Sequence, residues 1–388
     1  MSKVEITDKI LYVGVNDRDI DLFEGQYVVP EGVSYNSYLI MDEKVVLMDT
    51  VDARKSEEWL ANIKVVLGTR QPDYLVVSHM EPDHAGSIAA VAEEFPDMKI
   101  VGNAKTFTFM GQFFDFDIDS KKVVVAEGDE LSLGKHNLKF IMAPMVHWPE
   151  VMMTYETSEK ILFSADGFGK FGALDAEEDW ACEARRYYFN IVGKYGAQVQ
   201  AVLKKLAGAE VNAICPLHGP ILKENLAYYI GLYDTWSSYR PEDEGVLVAY
   251  ASIYGNTAGA AKQIAEMLKE KGAKKVAITD LARDDMAEAI EDAFRYDKMV
   301  LACSTYDGGI FPCMEDFLSH LKAKNYQKRT VALIENGTWA PMAGKKMREI
   351  LEGMKDVKVL ENTVTIRSAV KADTVSALDM LADEVMNA

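Results

Sequence analysis

Several kinds of residue are scarce in this chain, and each shortage excludes something. Only four of 388 residues are cysteine (Cys182, Cys215, Cys303 and Cys313), and no two form a C-x-x-C pair. That excludes a disulfide framework, a zinc ribbon and a fused rubredoxin-type iron site. No apolar run approaches the roughly 20 residues of a membrane-spanning helix. The opening stretch, Met1 to Asp17, mixes charges among its apolar residues and lacks the apolar core of a signal peptide. The expected compartment is therefore the reducing cytoplasm. Positive charge is also short. With 42 Lys and Arg against 61 Asp and Glu, the net charge is −19, so neither nucleic acid nor an anionic membrane is an expected partner. What is present, 49% hydrophobic and 27% charged residues, suits a folded globular chain rather than a disordered one.

The length exceeds one ordinary core, so two domains are expected. A polar stretch with a Pro and a Gly, Ser238 to Gly245, precedes the apolar run Val246–Ala251 and marks the boundary, giving domains of 1–243 and 245–388. Residues 1–244 carry a net charge of −17 and residues 245–388 only −2, so the acidity belongs to the first part. Beyond the boundary, apolar runs and amphipathic stretches alternate five times. The helix expected over Thr257–Lys271, for example, sets Ala261, Ile264, Ala265 and Leu268 on one face. Five βα units in one domain's length predict a doubly wound parallel sheet. Before the boundary the pattern is mixed. Strands are expected at Val33–Met41, Lys44–Asp49, Tyr74–Ser78, Lys99–Val101, Lys121–Ala126, Leu138–Ala143, Met152–Glu156 and Lys160–Ser164, with helix over Ser56–Val66 and Glu177–Lys205. This fits an αββα sandwich.

Four metal-capable side chains fall within six residues in Ser78-His79-Met80-Glu81-Pro82-Asp83-His84, where a strand ends and a helix begins. His147, Asp166 and His218 each lie just past the end of a further expected strand, so all seven converge if those strand ends share an edge. Four histidines with three carboxylates point to a metal site. His136 reads as part of a turn and His320 as a helix-surface residue.

A second constellation opens the later domain. Ser252-Ile253-Tyr254-Gly255-Asn256-Thr257 joins the strand Val246–Ala251 to a helix, offering backbone N–H groups and a positive dipole end to a phosphate. It is neither a Walker A loop nor G-x-G-x-x-G, which disfavours a nucleoside triphosphate or NAD. Ser304-Thr305-Tyr306-Asp307-Gly308-Gly309 follows the third strand, and Asn336-Gly337-Thr338-Trp339 follows the fourth. Both lie beside the switch point of a 2-1-3-4-5 sheet, with Tyr306 and Trp339 expected to flank a flat ring.

H-x-E-x-D-H followed by His147, Asp166 and His218 resembles the metallo-β-lactamase superfamily, whose zinc members read H-x-H-x-D-H. Glu81 replaces an imidazole by a harder oxygen donor, which favours iron over zinc. The later loops resemble flavodoxin, whose phosphate loop reads T-x-T-G-N-T; Ser252 and Tyr254 depart from it. The two together, in this order, resemble the flavodiiron proteins over essentially the whole chain. The resemblance implies a metallo-β-lactamase-like αββα domain with two non-haem irons and a flavodoxin-like domain with FMN. His79, Glu81 and His147 would hold one iron, Asp83 and His218 the other, with Asp166 between them; His84 varies as a ligand in the family. Trp148 and Tyr195 would pack nearby. The activity implied is reduction of O2 to water, of NO to N2O, or both. Electrons would come from an outside donor, rubredoxin or alternatively a deazaflavin. The assembly implied is a head-to-tail homodimer or a dimer of dimers. Lys322, Lys324, Lys328, Arg329, Lys345, Lys346 and Arg348 offer an acidic donor a docking face. The competing reading is a thioesterase-like hydrolase fused to an electron-transfer flavodoxin.

Overall fold

The computed structural model describes residues 6–388; the first five residues of the opening stretch lie outside the described part. The chain forms two compact units. One runs up to Tyr188 and takes in Ala197–Tyr233; the other joins Phe189–Gly196 to Asp234–Ala388.

The first unit contains two facing sheets. One has the strand order Ile10–Tyr12, Tyr38–Met41, Val45–Met48, Tyr74–Val76, Lys99–Gly102, Lys122–Val124. Met41 pairs with Val45 across the Asp42-Glu43 turn, as the sequence predicts, and the strands from Val45 onward run parallel. The other sheet runs Glu130–Ser132, Asn137–Met142, Met152–Glu156, Ile161–Phe163, Ala213–Cys215 and is antiparallel except for its last pair. Val46, Met48, Val76 and Val101 from one sheet share a core with Leu138, Phe140, Met152 and Phe163 from the other. With helices such as Ser56–Leu67 and Gly196–Leu206 in the connections, this is the αββα sandwich.

Two segments depart from expectation. Val33–Met41 is not one strand: Val33–Tyr35 pairs with Val15–Asp17, and only Tyr38–Met41 joins the large sheet. The break at Asn36 has a cause. Its backbone N–H donates to the Leu217 carbonyl at 2.8 Å, and its side-chain amide donates to the carbonyls of Pro216 and Gly219, both at 2.8 Å. The strand is diverted to hold the loop that carries His218. The helical pattern over Glu177–Lys205 is likewise interrupted. Helix Trp180–Tyr187 passes through a π turn, Tyr188–Val192, and a 3-10 turn, Gly193–Tyr195, before helix Gly196–Leu206. A Cβ on Gly196 would meet the Ser237 carbonyl at 2.3 Å, so only glycine fits that approach.

The second unit is a parallel sheet ordered Val276–Asp280, Asp243–Ala251, Tyr296–Tyr306, Arg329–Asn336, Val357–Ile366, which is 2-1-3-4-5 in chain order. Helix Asn256–Glu270 buries Ala261, Ile264, Ala265 and Leu268 against it, the face its periodicity marks. Full burial of Ile264 and Leu268 contributes about 1.5–3 kcal/mol each. Among the described residues no helix is long and apolar enough to cross a membrane.

Candidate functional site

In the first unit every expected ligand sits where a strand runs out. Tyr74–Val76 leads into His79, Glu81 and the short helix Pro82–Ala85, which carries Asp83 and His84. Asn137–Met142 precedes His147, Ile161–Phe163 precedes Asp166, and Ala213–Cys215 precedes His218. Strand ends in register at one edge therefore bring together residues up to 139 positions apart.

The seven side chains form two groups that share Asp166. On one side, Glu81 Oε2 lies 3.2 Å from His79 Nε2 and 3.0 Å from His147 Nε2. Asp166 Oδ2 lies 3.3 and 3.4 Å from the same two nitrogens. On the other side, Asp83 Oδ2 is 3.2 Å from both His84 Nε2 and His218 Nε2. Asp166 Oδ1 is 3.4 and 3.8 Å from that pair. His84, the residue the sequence leaves open, is thus inside the second group, 2.9 Å from His218.

Donor chemistry fits cations better than hydrogen bonding does. All four side-chain oxygens of Asp83 and Asp166 are buried without a hydrogen bond, an arrangement that costs about 1–3 kcal/mol per group unless something positive faces it. The nitrogens point the same way. His218 Nδ1 donates to the Ser34 carbonyl at 2.8 Å, which leaves Nε2 with its lone pair toward Asp83 and Asp166. His79 Nδ1 meets Glu150 Oε1 at 2.7 Å, which frees its Nε2 likewise. Without a metal, protons do the neutralising. Burial would lower the His79 imidazole, but Asp166, Glu150 and Glu81 hold it well above its ordinary value. Against the same burial, Asp83 and Asp166 push His84 up to about 10, and Asp166 and Glu81 push His147 up to about 9. Asp83 and Asp166, though buried, are held below the carboxylate range by the imidazoles around them.

Supports around these ligands include residues that the sequence reading missed. Glu150 orients His79, and its signal was its place three residues past His147 in the same loop. Phe23 and Tyr187 pack on the His218 ring at 5.3 and 5.4 Å. Glu24, beside Glu81, is pushed up to about 7 by desolvation first and then by the Glu81 charge. Trp148 packs edge-on to His79 at 5.2 Å. Tyr195 falls in the other unit, where Lys194 lies over its ring. His136 is more than a turn residue: it is buried, with Nδ1 2.8 Å from Asp42. His320 stands on helix Pro312–Ala323, 3.5 Å from Asp316.

In the second unit a cavity of about 490 Å3 lies at the carboxyl ends of the central strands. Its lining includes Ser252, Ile253, Tyr254, Asn256, Thr257, Ser304, Thr305, Asp307, Gly308 and Asn336 to Trp339, together with Ala340, Met342 and Ser368, which the sequence reading did not include. Gly255, Tyr306 and Gly309 are not in the lining. Tyr306 packs instead on Phe311 at 5.6 Å, because Gly308 and Gly309 fold the chain back into a short strand beside it. Gly255 has φ +92° and open space where a Cβ would sit, the left-handed start a phosphate loop needs before helix Asn256–Glu270. Thr305 Oγ1 accepts from the N–H groups of Met342 and Ala343 and so satisfies donors at the start of helix Ala343–Leu351. The Thr257 and Ser304 hydroxyls, 2.8 Å apart, tie the loops together. Tyr254 and Trp339 are 93% and 80% exposed, two large aromatic surfaces with no partner of this kind elsewhere in the lining. A flat ring between such walls fits the cavity.

The basic face expected to receive a donor is largely occupied within the unit. Arg329 is buried and donates to the carbonyls of Tyr296 and Tyr239; Lys328 donates to Ser238 and Arg348 to Leu360. Lys346 pairs with Glu349.

Comparison with known proteins matches both units. Residues 33–219 match the model for the ODP family beta lactamase, and residues 248–383 match that for flavodoxin. The rubredoxin-oxygen oxidoreductase of Megalodesulfovibrio gigas is 30% identical over 91% of this chain and 90% of its own. The anaerobic nitric oxide reductase flavorubredoxin of Vibrio vulnificus is 29% identical over 87% of this chain and 70% of its own. The solved rubredoxin oxygen:oxidoreductase of Desulfovibrio gigas superposes with a TM-score of 0.92 at 28% identity, covering 100% of this chain and 98% of that one. An α/β sandwich with a two-metal donor set, followed by a flavodoxin unit, defines a redox enzyme rather than a hydrolase. The chain belongs to the flavodiiron protein family.

Proposed function

We propose that this flavodiiron oxidoreductase reduces O2 to water, NO to N2O, or both, at two irons in its first unit, with electrons relayed through FMN in its second. The observation that carries this reading is Asp166, whose two buried, unbonded oxygens each face a separate group of two imidazoles and one carboxylate. His79, Glu81 and His147 would hold one iron and Asp83, His84 and His218 the other, with Asp166 bridging. Glu81 supplies the oxygen donor that prefers iron to zinc. Ligand-bearing residues 1–243 and flavin-bearing residues 245–388 are the functional division.

When bound, the iron pair gives a diatomic an open metal position and two electrons, and reduced FMN gives two more, enough for O2 to become two waters. The chain's own residues fix the rest. Hydrogen bonds from the Nδ1–H groups of His218 and His79 to the Ser34 carbonyl and the Glu150 carboxylate lock their tautomers, so no ligand has to reorient. Phe23 and Tyr187 keep water from the His218 side. In the second unit, the helix N-terminus at Asn256 would receive the FMN phosphate, and Tyr254 and Trp339 would wall its ring. The donor is an outside carrier, rubredoxin or a deazaflavin; with Arg329, Lys328 and Arg348 already bonded internally, it docks without them. The working form is a cytoplasmic head-to-tail homodimer or dimer of dimers.

The test is single-turnover mixing of the reduced, iron- and FMN-quantified protein with O2 and separately with NO. Flavin and iron reoxidation by O2 without peroxide marks an oxygen reductase; N2O formation marks a nitric oxide reductase. No reoxidation by either gas overturns the reading.

A further inference from the structure

We infer that Glu150 is a positioning residue that makes the two iron positions electronically unequal by placing a carboxylate behind one of them. This rests on the diiron reading above. The donors facing the two positions are matched: two imidazoles, one carboxylate and one Asp166 oxygen on each side. The difference lies one layer back. His79 turns Nε2 toward Glu81 and Asp166 and Nδ1 toward Glu150, 2.7 Å away. The same Glu150 oxygen accepts from the Met80 N–H at 2.9 Å. Glu150 is 1% exposed, and its other oxygen has no hydrogen bond at all.

No carboxylate accepts a hydrogen bond at Nδ1 of either imidazole in the second group; the buried Asp49, which accepts from the Ser78 N–H, acts by its charge on both His84 and His79. His218 Nδ1 rests on the neutral Ser34 carbonyl, and His84 Nδ1 is buried without a hydrogen bond. A carboxylate behind an imidazole strengthens it as a donor, and a stronger donor favours the more highly charged ion. The iron on His79, Glu81 and His147 therefore holds the ferric state more firmly and gives up its electron first. The iron on Asp83, His84 and His218 stays ferrous longer.

The experiment uses full-length protein loaded with iron and FMN, comparing wild type with Glu150→Gln and Glu150→Asp. Gln keeps an oxygen for His79 and Met80 but removes the charge; Asp keeps the charge. The readouts are iron per chain, the Mössbauer spectrum of the ferric pair and a redox titration of the iron steps. In Glu150→Gln one iron step rises, with a ferric-over-ferrous preference lower by about tenfold, or about 59 mV for one electron. The two Mössbauer doublets draw together, while Glu150→Asp stays near wild type. Unchanged iron steps and doublets in a folded, iron-loaded Glu150→Gln protein overturn the inference and leave the diiron reading standing. A wild-type chain that binds no iron overturns the diiron reading itself.

Discussion

The two sites are built in opposite ways. In the first unit the cluster is made of buried side chains: His79 and Asp166 are fully buried, and His218 nearly so. Each is delivered by the end of a core strand, and the two histidines are braced by the Glu150 carboxylate and the Ser34 carbonyl. In the second unit the cavity is made of loops whose largest side chains, Tyr254 and Trp339, stand almost fully in solvent. One site concentrates uncompensated charge, and the other presents surface and backbone N–H groups. An empty metal cluster is therefore a costly state, whereas an empty flavin cavity is merely an open one.

The largest effect that sharpens this contrast comes from Asp166→Ala. Removing the residue shared by both groups is expected to abolish iron loading at both positions, read as iron per chain, with the flavin content unchanged. Next comes selective removal. Stripping iron with a chelator should lower the unfolding temperature of the first unit by about 8–16 °C, given about 4 kcal/mol for a site filled at a thousand times its Kd and about 2–4 °C per kcal/mol. Stripping FMN should move it by much less. Calorimetry in which flavin removal causes the larger shift breaks the comparison. A smaller effect is expected at the flavin itself. Trp339→Ala should weaken FMN about tenfold, from the loss of about 1–1.5 kcal/mol of ring packing, while Tyr306→Ala, outside the cavity lining, should leave fluorescence-titrated affinity within about twofold.

The smallest lies away from both sites. Burial would raise Asp42, but hydrogen bonds from the His136 backbone and side chain hold its carboxyl down to about 2. A lowered folded value means stability that is present above about 3.8 and lost as pH falls toward 2. Asp42→Ala should cost about 1–2 kcal/mol at pH 7. The gap from wild type should close by pH 2 in denaturant titrations; a gap independent of pH contradicts the stabilising hydrogen bonds to the Asp42 carboxylate.

The contrast also explains what could be read from the sequence. Ligand types at strand ends are visible as letters, so His79 to His84, His147, Asp166 and His218 were legible, and so was the 2-1-3-4-5 sheet from its five apolar runs. The braces were not. Glu150 and Ser34 act through a single oxygen each, and nothing in local spacing marks a carbonyl that a histidine from another strand will use. The break of Val33–Met41 at Asn36 was hidden for the same reason, since its partners lie about 180 residues on. The packing of Tyr306 on Phe311 was hidden too, because the backward turn at Gly308-Gly309 decides where its ring lies and local spacing carries no sign of that direction.

One topological detail bears on how the protein can be cut. The eight residues Phe189–Gly196 belong to the unit that otherwise begins at Asp234. Phe189 stacks on Phe294 with ring centroids 4.3 Å apart, and the Asn190 amide donates to the Ala287 carbonyl. A recombinant fragment starting at residue 243 would carry the entire parallel sheet and every loop around the cavity, yet leave that plug behind. Such a piece would begin life with an uncovered aromatic face, and supplying residues 189–196 as a separate peptide is the way to restore it.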